Sequence, residues 1–357
     1  MLQACANALE PSCMTEPDII QRDAREIVAT LPVKQIAGQT ILLTGATGIV
    51  GTYFLATLRE LADGPHAPAK VYAVARREVP AHLRQMFAHP RFALLTGELH
   101  DPTFCRTLPT AGLVIHAGGY GQPGKFMENP LATLRLNTAA TCELLDRLSP
   151  GGRFLFISTS ELYSGLPHPP YREDQIGTTN TDHARACYIE AKRCGEAICH
   201  AASRSGLTAR AARLALAYGP GTRADDQRVL NTFIRRALTE KAIRMMDQGT
   251  AWRTYGYVAD AVRILWRILL EGREVVYNVG GDSRTTVRGL AELIGRLADV
   301  PVSFPAEAPG QALVGAPDDV RLDMGRFERE FGPLTFVPLE EGVWRTIAWQ
   351  KWLYNAV

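Results

Sequence analysis

Apolar residues recur along the chain in two alternating rhythms. Short, nearly continuous apolar runs at Thr40–Leu43, Val71–Ala75, Phe92–Leu95, Leu113–His116 and Phe154–Ile157 predict five buried strands. Between and after them apolar positions return at helical spacing: Thr52–Leu58 predicts a helix after the first strand, Pro130–Leu148 a long one after the fourth, and Ala184–Ser203 another after the fifth. Ala211–Ala217 predicts a sixth strand, closed by Tyr218-Gly219-Pro220-Gly221. Strands separated by helices require a parallel sheet covered on both faces, so the fold class is α/β with a doubly wound parallel sheet.

Residues 1–37 precede this pattern as an extension with one amphipathic helix, Asp18–Leu31, ended by Pro32. Met14 is a second candidate start. Residues 38–220 form the predicted main domain. Beyond Gly221 the pattern loosens, with Val275–Val279 the clearest strand and Thr286–Leu297 the clearest helix. Residues 221–357 are therefore expected to build mainly a smaller C-terminal α/β lobe that binds substrate, with some return to the main domain. The sequence contains no internal repeat or low-complexity segment.

Composition narrows the partners. The 357 residues are 46% hydrophobic and 21% charged, with net charge +2, which gives no bulk electrostatic case for nucleic acid or an anionic membrane. No run of 18 apolar residues is present, as a membrane-spanning helix requires. Leu2-Gln3-Ala4-Cys5 lacks the basic and apolar segments of a lipoprotein leader. The seven cysteines (Cys5, Cys13, Cys105, Cys142, Cys187, Cys194, Cys199) are scattered without a C-x-x-C pair, so reduced thiols, no metal site and a cytoplasmic location are expected.

The candidate chemistry starts at Thr44-Gly45-Ala46-Thr47-Gly48-Ile49-Val50-Gly51, directly after the first strand. A strand, a glycine-rich turn and a helix in that order present unpaired N–H groups and a positive helix end to a pyrophosphate, so residues 38–220 read as a Rossmann-type dinucleotide-binding domain. Gly45, Thr47, Gly48, Ile49 and Gly51 are the expected cofactor contacts, although the spacing is G-x-x-G-x-x-G. At the end of the second strand, where an acid would grip the ribose of NAD, stand Ala75-Arg76-Arg77. Arg76 suits adenine stacking or a 2′-phosphate, and equally a solvated loop position, so NADP stays open beside NAD. Glu98 and Leu99 follow the third strand, where an acid can meet the adenine amino group, and Ala117 and Gly118 follow the fourth.

Tyr188-Ile189-Glu190-Ala191-Lys192 sets a phenol and an ammonium one helical turn apart on the same face. An adjacent ammonium favours the ionised phenol, which can then take a proton from a sugar hydroxyl. The fifth strand ends in Ser158-Thr159-Ser160-Glu161, where Thr159 can hydrogen-bond the reacting hydroxyl and Glu161 can move a second proton.

In their order along the chain these motifs resemble the extended short-chain dehydrogenase/reductase family, in its nucleotide-sugar epimerase, dehydratase and decarboxylase branch. Beside those already quoted they are Ser158–Tyr163, Arg185-Ala186-Cys187-Tyr188 through Arg193, Tyr218-Gly219-Pro220, Arg253–Asp260 and Tyr277–Gly280. The stretches Glu128–Thr138 and Ala184–Arg193 look most like UDP-glucuronate decarboxylases. The resemblance implies Thr159, Glu161, Tyr188 and Lys192 as the catalytic set, with Tyr188 and Lys192 also touching the cofactor. It implies Ser160, Arg223, Arg228, Arg253 and Arg321 as substrate contacts, a tightly bound and recycled NAD, and a homodimer joined by a four-helix bundle from 130–148 and 184–203. Two departures disfavour a standard decarboxylase: Gly221 stands where those enzymes carry an arginine, and Leu216 where an asparagine is common. The expected activity is a nucleotide-sugar epimerase or dehydratase working through oxidation at sugar C4 to a 4-keto intermediate. UDP-glucuronate-type decarboxylation, a net-turnover 4-keto-sugar oxidoreductase and a non-catalytic dinucleotide sensor are the alternatives.

Overall fold

The computed structural model describes residues 16–305 and 319–355, so the expectations for Cys5, Cys13, Met14 and the Leu2–Cys5 stretch lie outside the described residues. Strands β1 (Thr40–Thr44), β2 (Lys70–Ala75), β3 (Phe92–Thr96), β4 (Ala111–His116), β5 (Leu148–Thr159) and β6 (Thr208–Leu214) stand side by side in the order 3-2-1-4-5-6, every neighbour parallel. Alternation along each strand feeds a separate apolar core on each face: Ile41, Leu43, Leu155 and Ile157 join one, Leu42, Val114, Phe154 and Phe156 the other. Strand order reverses between β1 and β4, which opens a crevice at their carboxyl ends.

The remaining strands are β7 (Ala217–Tyr218), β8 (Ile243–Arg244), β9 (Trp252–Tyr257), β10 (Val276–Val279), β11 (Ser283–Thr286) and β12 (Val302–Ser303). β10 pairs in parallel with β6 as a seventh strand of the main sheet. The chain therefore leaves the main sheet after β6, builds β7, β8 and β9, and comes back. β7, β9 and β11 form a small sheet, and β8 pairs with β12. The expected sixth strand 211–217 is divided: its last residues turn away at Ala215–Leu216 and start β7.

The expected single helix over 130–148 is also interrupted. Helices Pro130–Asn137 and Ala139–Leu145 meet at Thr138, whose ψ of −79° departs from helical geometry, and β5 already begins at Leu148. Thr133, Asn137, Thr138 and Thr141 each donate a side-chain hydrogen bond to the carbonyl four residues back. Such competing bonds bend helices.

The N-terminal helix spans Glu16–Val28, and Ile19, Ile20, Ala24 and Ile27 are buried. Asp23, on its inner face, is fully buried. Its carboxylate accepts from Tyr53 Oη (2.8 Å) in the helix Ile49–Leu61, from Tyr257 Oη (2.6 Å) at the end of β9, and from Arg345 Nη1 (2.6 Å) in the C-terminal helix Leu339–Asn355. No described helix is long and apolar enough to cross a membrane.

Candidate active site at the carboxyl ends of the sheet

The glycine turn after β1 is shaped by close approach. Gly45 has φ +69°, and a Cβ there would lie 2.3 Å from Ala117 O; one on Gly51 would lie 2.2 Å from Gly45 O. Only glycine fits either place. The helix Ile49–Leu61 then starts at Gly48 without any side-chain cap, which leaves its first N–H groups without a side-chain partner, as an anion site requires. Thr47 and Ile49 line the same turn, half-buried. Thr44 ties the turn to the end of β4. His116 Nε2 lies 2.9 Å from Leu136 O and must donate to it, so Nδ1 accepts from Thr44 Oγ1 at 2.8 Å, and Thr44 Oγ1 accepts from Gly118 N at 3.1 Å. Burial drives the His116 pKa down to about 3, which keeps the ring neutral.

Helix Ala186–Arg204 carries Tyr188 and Lys192. It lies hard against the sheet because a Cβ at Gly195 would sit 2.3 Å from the Phe156 ring. Lys192 Nζ donates to Ile157 O at 2.5 Å, beside Thr159 at the end of β5. Desolvation lowers its pKa to about 7, with Glu196 acting in the opposite direction. Tyr188 stacks on Phe126, with ring centroids 4.5 Å apart, and Lys192 Nζ is 5.9 Å from the Tyr188 centroid. Burial raises the phenol to about 12, and the nearby Glu161 carboxylate adds to this. A hydrogen bond with Thr159 and the charges of Arg185 and Arg228 oppose it.

Thr159 is buried and accepts from Glu161 N at 3.2 Å. Glu161 pairs with Arg185 Nη2, while its other oxygen, Oε2, and Arg185 Nε are buried with no hydrogen-bond partner. Desolvation raises the Glu161 pKa, with Arg185 opposing. Thr159, Glu161, Tyr188 and Lys192 thus come together at one place.

The other expected residues are more dispersed. Glu98, exposed after β3, lies 3.4 Å from His100, and Leu99 packs under Gly118. Arg76, exposed at the end of β2, donates to Tyr120 Oη at 3.0 Å. Ser160 opens the short helical turn after Thr159. Arg223 pairs with Asp225 at 3.1 Å, and Arg228 with the buried Asp226 at 2.6 Å. Arg253, at the start of β9, donates to Trp252 O at 2.6 Å, and Arg321 donates to Pro169 O at 3.2 Å. Gly221 has φ +87°, a conformation that an arginine there would adopt only with strain.

Several contributors take roles that sequence reasoning did not assign. Ser158 Oγ donates to Glu196 Oε1 at 2.6 Å, and Arg213 grips Glu196 with Nη2–Oε2 2.8 Å and Tyr163 Oη with Nη1 at 2.8 Å. Tyr163 in turn donates to Asn278 Oδ1 on β10 at 2.7 Å. This buried network fixes the end of β5 to β6 and β10. Asn137 Oδ1 is a buried acceptor without a partner; a Cβ on Gly119 would lie 3.9 Å from it and 3.9 Å from Lys192 Nζ. An orphaned acceptor and a lysine donor that both border Gly119 suit ribose hydroxyls, so with the glycine cradle the residues present fit a dinucleotide. Among the described residues no group of three or more His, Cys, Asp or Glu is placed to hold a metal ion.

The sequence profile of the NAD dependent epimerase/dehydratase family matches residues 41–280, from β1 through β10. The chain belongs to this family. It is 30% identical over 312 residues to UDP-glucuronic acid decarboxylase 1 of Danio rerio, covering 86% of this chain and 71% of the relative. It is 29% identical over 308 residues to UDP-glucuronic acid decarboxylase 6 of Arabidopsis thaliana, covering 85% and 86%. Among solved structures, a dTDP-glucose 4,6-dehydratase from Streptomyces venezuelae with NAD bound superimposes with TM-score 0.74 at 23% identity, covering 89% of this chain and 98% of that one. A UDP-glucose 4-epimerase from Thermotoga maritima, with UDP-glucose, gives 0.73 at 22%, covering 87% and 98%. At these identities the superpositions speak for the fold. The motif resemblance and the family profile agree on which branch of α/β proteins this is.

Proposed function

We propose that this protein is a nucleotide-sugar epimerase or dehydratase that oxidises its substrate at sugar C4 to a 4-keto intermediate and keeps one NAD through each cycle. The observation that carries the reading is the meeting of Thr159, Glu161, Tyr188 and Lys192 beside a glycine cradle built for a pyrophosphate. Gly45, Thr47, Gly48, Ile49, Gly51, Glu98, Leu99, Ala117 and Gly118 would hold the dinucleotide, with Lys192 and Asn137 at the nicotinamide ribose. NAD, when bound, supplies the acceptor for a hydride from the sugar and its later return.

The chain's own residues handle the protons. Thr159 orients the C4 hydroxyl, and Tyr188 accepts its proton as the neutral form of Lys192 takes up the proton that the phenol gives away. The Tyr188–Lys192 pair is the proton store: with Lys192 near 7 and Tyr188 near 12, at neutral pH and above it holds one proton fewer than its full complement. Glu161 has an orphaned Oε2 and a raised pKa, as suits a group that moves a second proton at C5. Ser160, Arg223, Arg228, Arg253 and Arg321 are assigned to the sugar and its diphosphate.

A decarboxylase acting on a uronate is the second reading, favoured by the 30% and 29% identity to UDP-glucuronic acid decarboxylases. A nucleotide-diphosphate sugar is the proposed partner, and a second copy of this chain is proposed to pack across helices 130–145 and 186–204, where Leu131 is 66% exposed. The cytoplasm is the proposed location, in keeping with five free cysteines among the described residues.

Incubation with UDP-, dTDP-, GDP-, CDP- and ADP-sugars, followed by mass, tests the reading. A loss of about 18 Da marks dehydration, about 44 Da decarboxylation, and a new isomer of equal mass epimerisation. No conversion of any of them, with NAD present, would contradict it.

A further inference from the structure

Arg76 and Tyr120 meet across the crevice. Arg76 follows β2 directly and Tyr120 lies four residues beyond β4, the two strands that flank β1 in the sheet. A contact between those two ends passes over the carboxyl end of β1, where the glycine turn and the uncapped start of helix Ile49–Leu61 lie. Arg76 Nη1 donates to Tyr120 Oη at 3.0 Å, and the guanidinium carbon is 5.6 Å from the Tyr120 ring centroid. The Tyr120 ring is half-buried and packs on the core that includes Leu99 and Leu136, so its hydroxyl is presented from a seated ring. Arg76 reaches it from an exposed loop.

Gly121 follows Tyr120, and Gly124 lies in the helix Pro123–Glu128 just beyond it. Gly121 and Gly124 have ordinary negative φ, and a Cβ at either would meet no atom within 4 Å. Neither packing nor backbone geometry demands glycine there, unlike at Gly45 or Gly51. The contact thus joins a ring seated on the core to a guanidinium that reaches it from an exposed loop, so Arg76 is the half that can move away.

We infer that Arg76 and Tyr120 form a latch over the bound dinucleotide, slowing its release so that one NAD serves many sugar turnovers. The inference rests on the proposed reading that a dinucleotide lies in this crevice. It gives Arg76 a task besides choosing between NAD and NADP: a guanidinium has five N–H donors, and the bond to Tyr120 uses one of them. It also assigns a role to Tyr120, which no motif had singled out.

The latch is tested on purified protein loaded with NAD and diluted into an enzymatic trap that consumes free NAD. Arg76→Ala and Tyr120→Phe are each expected to raise the release rate about tenfold, as for loss of one charge-assisted hydrogen bond. The double variant is expected to release no faster than the quicker single one, because both remove the same contact. Arg76 is exposed and Tyr120→Phe keeps the ring that packs on the core, and far-ultraviolet circular dichroism checks that the variants remain folded. Unchanged release in both single variants would overturn the latch. So would additive effects, which would mean that each residue acts alone, and so would tighter binding with faster entry, which would mean that the contact blocks the crevice. The measurement uses no sugar. Failure of every nucleotide-sugar to react would overturn the proposed reaction while leaving the release rates to be judged by themselves.

Discussion

The rings of Phe126 and Tyr188 lie face to face, 4.5 Å apart and 4° from parallel. Phe126 is buried in the short helix Pro123–Glu128, whose Lys125 bridges to Asp225 at 2.8 Å in the loop that also carries Arg223 and Arg228. The proposed catalytic phenol is therefore clamped from the side of the substrate loop as well as by its own helix.

The first prediction concerns this clamp. Phe126→Leu keeps an apolar side chain under Tyr188 but removes the flat surface that fixes its tilt. The turnover number is expected to fall about tenfold with little change in KM, since a reacting group displaced by a fraction of an ångström loses rate before affinity. A steady-state comparison decides it, and an unaltered turnover number would remove Phe126 from the account.

Lys192 sets the pH dependence. Its pKa is lowered to about 7 by burial, and Tyr188 is raised to about 12, so below about pH 7 the pair holds both protons and has no place for the sugar hydroxyl's proton. As pH rises through that value one proton leaves and the pair becomes competent. The kcat/KM should rise across neutrality and level off in mild alkali, and Lys192→Met should lower the rate and move that acid limb up toward the Tyr188 pKa, so that the rate still climbs at about pH 9. A wild-type profile flat from about pH 6 to 9 would be the wrong outcome for a pair so perturbed.

Glu161 divides the reaction in two. Glu161→Gln leaves Thr159, Tyr188 and Lys192 in place, so reduced dinucleotide should still form on mixing with the sugar, while the final product of a dehydratase falls by about a hundredfold or more. Rapid-quench analysis separates the two stages. Full product formation by the variant would point to an epimerase, which has no need of a second proton transfer at C5.

Asp23 is the stability prediction. Asp23→Asn would leave Arg345, 5% exposed at its side chain, with only the half-exposed Glu341 as a charged partner, a change that costs about 1–3 kcal/mol. Urea unfolding at fixed NAD concentration measures it. A change below about 1 kcal/mol would mean that the N-terminal helix is held by its apolar face alone.

The parallel sheet was legible because each of its first six strands is a short apolar run next to a helical pattern, and the glycine turn because its spacing serves one geometry. Thr159, Tyr188 and Lys192 could be read as a set for the same reason: two share a helical face and the third ends a strand. The return of β10 to the main sheet was not specific in the sequence, since Val276–Val279 looks alike in either sheet. Asp23 was invisible. A single acid in an amphipathic helix reads as solvated, and its partners Tyr53, Tyr257 and Arg345 lie 30, 234 and 322 residues away. The kink at Thr138 comes from side chains bonding back to the helix carbonyls, which hydrophobic periodicity does not register.

The most direct test of the central claim uses a nucleotide sugar carrying deuterium at C4, mixed with NAD-loaded protein and with its Tyr188→Phe variant. The wild type should yield product with the deuterium still within the molecule, and the variant should lose at least about a hundredfold in rate. Product formed at the wild-type rate by Tyr188→Phe, or deuterium washed out to solvent, would contradict it.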